Sequence, residues 1–284
     1  MINKKKFDLH IHSTASDGTY SPKEIVERAL SIGAVAIALT DHDTIDGCVE
    51  ISDFAKKSGL ELYTGVELNT DAYGAEIDIL GYFWSMPYKT FLEMLRKRQA
   101  GRIIRAKKIV NRLNDLGIEI TYNRVREIAH GSVCRPHVIE AMVEKDYVSD
   151  QKEAFEKYLG LGKPAYVPHD ELTPEQAIQY ISQGGGISVV AHPGLVGNDA
   201  IVERLLKEGA QGLEAYYPMH SVELIKKYSK LAEKYNAIVT CGSDSHGPKR
   251  KKSFPIGSMT APSYVLNIFR MKLKEAQKFP EVKD

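Results

Sequence analysis

Two short motifs near opposite ends of the chain are the first sign of chemistry in this sequence. His10 and His12 stand two residues apart at the end of an apolar run, and Asp244 and His246 repeat that spacing. Side chains two residues apart on a strand point to the same face of a sheet, so each pair can hold one ion. Imidazole and carboxylate together suit manganese, zinc or iron. The two motifs therefore predict a metal site.

Further candidate ligands follow other apolar runs. His42 follows the second predicted strand, Glu67 ends the third, and His192 follows the fifth. In a parallel barrel the carboxyl ends of the strands meet at one face, where such folds keep their active sites. A carboxylate such as Glu67 can bridge two ions, so we expect more than one ion. The histidines expected to converge on this face are His10, His12, His42, His192 and His246.

The elements that must position these residues alternate regularly. Short β-branched runs are separated by amphipathic helical stretches, which predicts an α/β fold with seven parallel strands. Two helices are predicted to begin at Ser21-Pro22 and Thr173-Pro174, each a capping residue followed by proline. The alternation stops between residues 87 and 165, where long helical stretches predict a helical insertion. A last helix is predicted from Val265 to Phe279.

Composition limits the function classes. The 284 residues can bury one large core, and 43% hydrophobic and 26% charged residues are ordinary globular usage. The sequence lacks an apolar run long enough to cross a bilayer and a signal-peptide core, so we expect no membrane association and a cytoplasmic location. The three cysteines lack a CxxC pair. A net charge of +1 gives no general attraction to long duplex nucleic acid.

Taken together, the motifs resemble those of the PHP superfamily of phosphoesterases. The shared runs are His-x-His-Ser, Ser-Asp-Gly, Thr-Asp-His-Asp-Thr, Gly-Val-Glu, Ala-His-Pro and Gly-Ser-Asp-Ser-His, spread over nearly the whole chain. The resemblance implies a distorted seven-stranded (β/α)7 TIM-like barrel. It also implies two or three divalent ions, with manganese favoured and zinc or iron as alternatives. Residues 1–86 and 166–284 would form the PHP barrel domain, and residues 87–165 a helical insertion that caps the substrate.

The resemblance also implies how the ligands are shared among the ions. It assigns His10, His12, Glu67 and Asp244 to one ion, Asp17, His42 and His246 to another, and Glu67 with His192 to a third. Asp17 depends on the resemblance, because Ser16-Asp17-Gly18 is also an ordinary turn sequence. One departure concerns Asp78, which stands where the family usually has histidine. Aspartate is a harder, anionic ligand, so metal preference or occupancy is expected to differ there.

The predicted insertion narrows the resemblance. Arg102-x-x-Arg105 and Arg135-Pro136-His137 are similar to the branch that dephosphorylates nucleoside 3′,5′-bisphosphates and trims short RNA from the 5′ end. Arg102 and Arg105 lie one helical turn apart, and with Arg135 they could clamp a second phosphate. His137 is the fourth expected substrate contact. A solvated helix face is the alternative explanation for this basic segment.

The expected mechanism is hydrolysis by activated water. Metal coordination lowers the pKa of water toward neutrality, so a hydroxide can attack phosphorus without a protein nucleophile. The sequence accordingly lacks a Gly-x-Ser-x-Gly elbow and a Gly-x-x-x-x-Gly-Lys phosphate loop. A general acid is expected for the leaving group, and either His220 or His137 could supply it.

Three functions are weighed. The leading hypothesis is a phosphoesterase that converts nucleoside 3′,5′-bisphosphates to nucleoside 5′-monophosphates, or removes nucleotides from short RNA in the 5′-to-3′ direction. The second is a phosphatase for a small metabolite such as histidinol phosphate, which would not need the arginine clamp. The third is a metal-stabilised binding module without turnover. A small nucleotide or short oligonucleotide is the expected partner; the sequence gives no indication of protein partners.

Overall fold

The computed structural model describes residues 5–168, 172–250 and 253–277, and seven strands form one sheet in chain order. The strands are β1 (Lys6–Ile11), β2 (Ala34–Leu39), β3 (Glu61–Ala72), β4 (Ala75–Phe83), β5 (Ile187–Val190), β6 (Gly212–Tyr216) and β7 (Ile238–Cys241). The α-helices of the described residues are α1 (Pro22–Ser31), α2 (Asp46–Lys57), α3 (Lys89–Asp115), α4 (Tyr122–Ile128), α5 (Arg135–Val143), α6 (Gln151–Ala154), α7 (Pro174–Gln183), α8 (Asp199–Lys207), α9 (Val222–Lys234) and α10 (Ser263–Ala276). The predicted number of strands is confirmed.

One strand, β4, runs against the others. β1, β2 and β3 pair in parallel, as do β5, β6 and β7, but β4 is antiparallel to both β3 and β5. Only Tyr73 and Gly74 connect β3 to β4, and both have positive φ angles, 56° and 74°. Such a two-residue turn makes a hairpin and leaves no room for a crossover helix. The prediction of parallel strands throughout was therefore wrong at β4.

The hairpin also changes where two candidate ligands lie. Glu67 does not end β3, as predicted from the sequence, because the strand continues to Ala72 and its second half pairs with β4. Asp78 lies in the first half of β4, directly opposite Asn69 of β3. Because β4 is reversed, its first half lies at the same edge of the sheet as the later part of β3. Glu67 and Asp78 therefore reach the edge where the parallel strands end.

The first strand and the segment after the last strand lie side by side. The backbone N–H of His12 donates to the carbonyl oxygen of Ser245 at 2.9 Å, and that of Asp244 donates to the carbonyl oxygen of His10 at 2.8 Å. Ile11 and Ser245 form an isolated parallel bridge. These bonds bring the two ends of the sequence, and the two motifs that they carry, to one place.

Apolar helix faces cover the sheet. Ser21 and Thr173 cap α1 and α7, each followed by proline, which confirms both predicted helix starts. Phe269 of α10 packs edge-on against the rings of Tyr63 and Tyr82, with 5.1 Å between centroids in each case. α10 ends at Ala276, and residues 278–279 of the predicted helix lie outside the described part of the chain. In that part, the helices lack the length and apolar character to cross a membrane.

The helices between β4 and α7 have an apolar cluster of their own. α3 to α6 and the π-helical turn Phe155–Leu159 share buried residues that include Ile109, Val138 and Met142. The first turns of α3 instead pack on the sheet side, where Phe91 joins the main cluster. α3 is therefore the element that joins the two parts.

Buried ion pairs strengthen this connection. The Nε atoms of Arg98 and Arg102 on α3 donate to the two carboxylate oxygens of Asp43, at 2.6 and 2.5 Å, and all three side chains are less than a tenth exposed. The two guanidinium charges lower the pKa of Asp43 to about 2 against the opposing effect of burial. Asp43 follows His42 in the loop after β2, so these pairs anchor α3 beside a candidate ligand.

The substitution Asp43→Asn should lower the free energy of unfolding by about 3 kcal/mol, because two buried guanidinium groups lose their counter-charge. Asparagine tolerates the positive φ of 53° at this position, so no backbone strain is added. Urea unfolding of the metal-free protein measures the effect. The matched control is Glu153→Gln, which removes a carboxylate from an exposed pair with Lys157 and should leave the urea midpoint unchanged. Equal midpoints for the wild type and Asp43→Asn would contradict the prediction.

Candidate metal centre

The first cluster of candidate ligands joins the two ends of the chain. Ligand atoms of His10, His12, Glu67 and Asp244 all lie within 4.8 Å of one another. His10 Nε2 lies 3.4 Å from Glu67 Oε1 and 3.3 Å from Asp244 Oδ1. His12 Nε2 lies 3.1 Å from Glu67 Oε2 and 3.3 Å from Asp244 Oδ1. Two imidazoles and two carboxylates directed at one point are a donor set for manganese, iron or zinc.

A second cluster is richer in imidazole. His12, Asp17, His42 and His246 place ligand atoms within 4.8 Å of one another. His246 Nε2 lies 3.4 Å from Asp17 Oδ1, and His42 Nε2 lies 3.8 Å from Asp17 Oδ2. The turn that presents Asp17 is held by Asp41, whose carboxylate accepts hydrogen bonds from the hydroxyl groups of nearby serines. Asp17 therefore lies among the histidines, where the family resemblance put it.

The third cluster contains Glu67, Asp78 and His192. His192 Nε2 lies 3.4 Å from Glu67 Oε1 and 3.7 Å from Asp78 Oδ2. Glu67 thus belongs to both the first and the third cluster, and its Oε2 also lies 3.3 Å from His42 Nδ1. A carboxylate in this position can bridge ions. Asp78 joins the cluster because the reversal of β4 brings it to this edge.

Uncommon backbone conformations direct two of these side chains. His192 has a φ of 26° and Asp244 a φ of 54°, both in the left-handed region that non-glycine residues seldom occupy. Each follows a strand, β5 or β7, at the point where the chain turns. Strained residues of this kind cluster at functional sites, where the surrounding structure holds them.

Glu214 contacts two candidate ligands, His10 and His192, and was missed by sequence reasoning. Its side chain is fully buried in β6, and its carboxylate lies 3.0 Å from His10 Nδ1 and accepts the backbone N–H of His192 at 2.9 Å. A carboxylate on the far ring nitrogen fixes the tautomer and orientation of a metal-binding histidine. The available signal was an acid inside the otherwise apolar strand Gly212–Tyr216.

Tyr217 was also missed as a site residue. Its hydroxyl donates to Asp244 Oδ2 at 3.1 Å, and its ring lies 5.3 Å from that of His192. Burial and the neighbouring carboxylates hold the pKa of Tyr217 well above its usual value, so it remains a donor at neutral pH. Tyr217 therefore orients the carboxylate of Asp244. No residue pattern in the sequence marks it.

The pKa values of the histidines in the metal-free protein differ from one another. Burial disfavours the charged form of His12, but hydrogen bonds to Asp244 and Glu67 outweigh burial and raise its pKa to about 10. The same balance, with Glu67 as the main partner, raises the pKa of His192 to about 9. Burial dominates at His42 and lowers its pKa to about 3. His42 is therefore a neutral imidazole, whereas the other two hold protons that a cation would displace.

Several buried donor atoms fit a bound cation. His12 Nδ1, His42 Nδ1 and Glu67 Oε1 are inaccessible to solvent and have no hydrogen-bond partner among the described residues. Buried polar atoms are normally satisfied, so orphaned atoms at one point indicate a missing partner. Imidazole nitrogen and carboxylate oxygen are the ligands that divalent transition metals prefer. The chemistry of this site fits a polynuclear metal centre.

A cleft of about 200 Å³ opens beside the three clusters. It is lined by the candidate ligands Asp17, His42, Glu67, Asp78, His192, Asp244 and His246, and also by residues that include Arg102, Arg105, Arg135 and Phe155. The three arginines predicted to contact substrate therefore line the same cleft as the candidate ligands.

The arginines already have protein partners. Arg135 donates to both carboxylate oxygens of Glu76, at 2.6 and 2.8 Å, and Arg105 Nε donates to the carbonyl oxygen of Val167 at 2.8 Å. Burial, together with the charges of Arg135 and Arg102, lowers the pKa of Arg105 to about 10. An anion in the cleft would relieve this crowding of positive charge.

His220 does not fit its predicted role as general acid. It is buried, its Nδ1 lies 2.9 Å from the carbonyl oxygen of Ala215, and its Nε2 accepts the backbone N–H of Gly194 at 3.1 Å. Both ring nitrogens are therefore engaged, and burial lowers the pKa of His220. It is not among the described residues that line the cleft. The prediction is corrected: His220 fixes the turn that follows His192.

His137 likewise differs from its prediction as a substrate contact or general acid. Only 3% of it is exposed, and its Nδ1 accepts the backbone N–H of Cys134 at 3.0 Å at the start of α5. Burial lowers the pKa of His137 to about 4, so it is a neutral group at physiological pH. The cleft lining of the described residues includes Cys134 and Pro136 but not His137. His137 caps a helix behind the cleft wall.

The structure is thus an α/β fold whose seven-stranded sheet carries clusters of candidate metal ligands at one edge, and comparison with known proteins identifies its family. A family model for the PHP domain matches residues 8–161, so the chain belongs to the PHP domain family. The chain is 36% identical to a 5′-3′ exoribonuclease of Haemophilus influenzae over 251 residues, 86% of this chain and 91% of that protein. The family predicted from the motifs is confirmed.

Two further matches come from Chromobacterium violaceum. The chain is 31% identical to a 3′,5′-nucleoside bisphosphate phosphatase over 248 residues, 85% of this chain and 87% of that protein. The solved structure of an amidohydrolase with bound sulfate matches with a TM-score of 0.83 and 29% identity, covering 95% of this chain and 96% of the other. The similarity extends over both the sheet and the helices between β4 and α7.

Binding of Mn²⁺ to the metal-free protein at about pH 7.5 should release protons, because ligands must be deprotonated to bind. His12 and His192 have pKa values of about 10 and about 9, so both are protonated at that pH and must lose a proton. Calorimetric titration in two buffers of different ionisation enthalpy measures the release. The apparent enthalpy should differ between the buffers. Identical enthalpies would contradict the protonated state of these two histidines in the metal-free protein.

Proposed function

We propose that this chain is a metal-dependent phosphoesterase that hydrolyses nucleotide phosphoesters. The observation that carries the proposal is the set of nine side chains in three clusters, with Glu67 shared between two of them, at the floor of a cleft with a basic wall. The relatives named as an exoribonuclease and a bisphosphate phosphatase support the same chemistry. The membership of the PHP family makes the chain a hydrolase of phosphate esters.

The proposed ligands are those of the three clusters, and two or three divalent ions would occupy them, with manganese favoured. Such ions activate water for attack on phosphorus and neutralise charge on the phosphoryl oxygens. Glu67 lies where its two oxygens can serve neighbouring ions. Glu214 and Tyr217 hold His10 and Asp244 in place, which keeps the ligand set ordered before substrate arrives.

The basic wall supports a substrate with two phosphates. Arg105 and Arg135, with Arg102 beside them, line the same cleft as the ligand clusters, so a phosphoester at the ions could direct a second phosphate toward the guanidinium groups. Planar guanidinium groups bind phosphate through paired hydrogen bonds. A nucleoside 3′,5′-bisphosphate or a short RNA with a 5′-phosphate carries a second phosphate of this kind. We therefore propose both as substrates.

We propose the domain boundaries of the chain on the same observations. Residues 1–86 and 166–284 would form the catalytic domain, closed as a distorted barrel through the bonds between β1 and the segment after β7. Residues 87–165 would form an insertion that caps the cleft, since Arg105, Arg135 and Phe155 lie on its wall. The composition supports a cytoplasmic enzyme without membrane or long duplex partners.

The test of the function compares three substrates with the manganese-loaded protein. Release of phosphate or nucleotide is measured from a nucleoside 3′,5′-bisphosphate, a 5′-phosphorylated short RNA and histidinol phosphate. We expect turnover of at least one of the first two and little of the third. Turnover of histidinol phosphate alone would favour a metabolite phosphatase. Tight metal binding without any turnover would favour a binding module.

The substitution Arg135→Ala should lower kcat/KM for the nucleoside 3′,5′-bisphosphate by about 10- to 100-fold, because a charged phosphate contact is lost. The value for a nucleoside 3′-monophosphate, which lacks the second phosphate, should change less than about threefold. Steady-state kinetics with both substrates measure the difference.

Two controls accompany this variant. The double substitution Arg135→Ala with Glu76→Ala removes the carboxylate that loses its partner, and it should show the same selective loss. Arg124→Ala removes an exposed arginine that pairs with Glu144, and it should leave both substrates unaffected. An equal loss for both substrates in Arg135→Ala would contradict the proposed clamp.

A further inference from the structure

A chain of side-chain hydrogen bonds links α3 to the third ligand cluster. Asp43 accepts from Arg102 Nε at 2.5 Å, Arg102 donates through a terminal nitrogen to Asn69 Oδ1 at 2.5 Å, and Asn69 Nδ2 donates to Asp78 Oδ1 at 2.6 Å. Asn69 and Asp78 are direct partners across the β3–β4 hairpin. The link between Arg102 and Asp43 is charged at both ends and the two links of Asn69 at one end, and such hydrogen bonds are the stronger ones.

The orientation of the Asn69 amide follows from its two neighbours. A guanidinium group only donates, so the amide oxygen must face Arg102, and a carboxylate only accepts, so the amide nitrogen must face Asp78. The amide cannot rotate by half a turn without losing both hydrogen bonds. The backbone carbonyl of Asn69 is held as well, because it accepts from Arg98 at 2.7 Å. Asn69 is therefore a fixed donor directed at Asp78.

Because of this fixed donor, the two carboxylate oxygens of Asp78 have different surroundings. Oδ1 is engaged by Asn69, whereas Oδ2 faces the cluster, 3.7 Å from His192 Nε2. Oδ2 is therefore the oxygen that Asp78 directs at an ion in the cluster, while Oδ1 is held by the amide. The hairpin register keeps this arrangement in place, because Asn69 and Asp78 cannot slide past each other without displacing the whole ladder.

The three clusters differ in donor chemistry. The second cluster has three imidazoles and one carboxylate, the first has two of each, and the third has one imidazole and two carboxylates. Imidazole favours zinc, copper and iron, whereas carboxylate oxygen favours magnesium and manganese. The proportion of hard carboxylate donors thus rises from the second cluster to the third, which contains Asp78. The ions at its two ends should have different preferences.

We propose that Asn69, held by Arg102 and Asp43, is a positioning residue that fixes Asp78 as a single-oxygen ligand and makes the third cluster a site for a hard, exchangeable ion such as Mn²⁺ or Mg²⁺. Zinc is disfavoured there relative to the second cluster. The proposal also gives Arg102 a role in the metal centre besides any contact with substrate. It rests on the proposed metal centre but not on the identity of the substrate.

The test measures metal binding rather than activity. Metal-free full-length protein is titrated with Mn²⁺, and the free ion is counted by electron paramagnetic resonance. A second sample is equilibrated with equal Mn²⁺ and Zn²⁺, and its metal content is measured. For the wild type we expect the weakest bound ion to be exchangeable manganese, and the competition sample to retain a higher ratio of manganese to zinc than the Asp78→His variant.

The substitution Asn69→Ala should weaken the weakest Mn²⁺-binding event by about 10- to 100-fold and leave the tighter events unchanged, since it removes only the residue that orients one ligand. The matched control is Asn267→Ala on α10, which removes another asparagine that accepts from an arginine, Arg270, but lies outside the three clusters. It should bind manganese as the wild type does. The thermal melting temperatures of the metal-free variants check that each is folded.

The substitution Asp78→His provides an independent variant. It replaces the hard oxygen with imidazole, so the third ion should change from manganese toward zinc in the competition sample. Unchanged Mn²⁺ affinities in Asn69→Ala, loss of all metal binding in Asn69→Ala, or an unchanged metal ratio in Asp78→His would each overturn the proposal. A wild type that binds no divalent ion would instead contradict the metal centre itself.

Discussion

The burial of the Glu67 carboxylate is the constraint on which the rest of the site depends. It is 2% exposed, and its oxygens lie between 3.1 and 3.4 Å from imidazole nitrogens of His10, His12, His42 and His192. A buried charge is tolerated only when it is balanced and hydrogen-bonded. In the metal-free protein protonated histidines supply the balance, and divalent ions would replace those protons. Metal binding at these clusters would therefore exchange protons for metal ions.

The surrounding residues hold this charged cluster in one geometry. Asp8 accepts backbone N–H groups of Ser243 and Gly257, which ties β1 to the segments after β7. Glu214 holds the imidazole ring of His10 and accepts the backbone N–H of His192, which fixes the turn after β5. On the opposite side, Asp43 anchors α3, so the basic wall of the cleft and the ligand clusters share a buried ion-pair network. The fold thus couples the predicted insertion to the metal centre through a few polar contacts.

Local patterns predicted the strands, the helix starts and the candidate ligands, because periodicity and the position of a strand end depend on neighbouring residues. The reversal of β4 was not predicted, because it depends on the two-residue turn Tyr73-Gly74 rather than on the residues of the strands themselves. Glu214 was hidden in an apolar strand, and Asn69 acquires its meaning only through the hairpin register. His220 was misjudged because a sequence does not show which ring nitrogens the backbone occupies. What escaped prediction was long-range pairing.

The most direct test of the metal centre is an anomalous difference map from crystals of the manganese-loaded protein, collected on both sides of the manganese absorption edge. Two or three peaks should lie within bonding distance of the three clusters, with one peak between Glu67 and the pair Asp78 and His192. Oxygen and nitrogen ligands should stand about 2.0–2.3 Å from each peak. Absence of peaks at these clusters in a protein that hydrolyses phosphoesters would contradict the assignment of the centre.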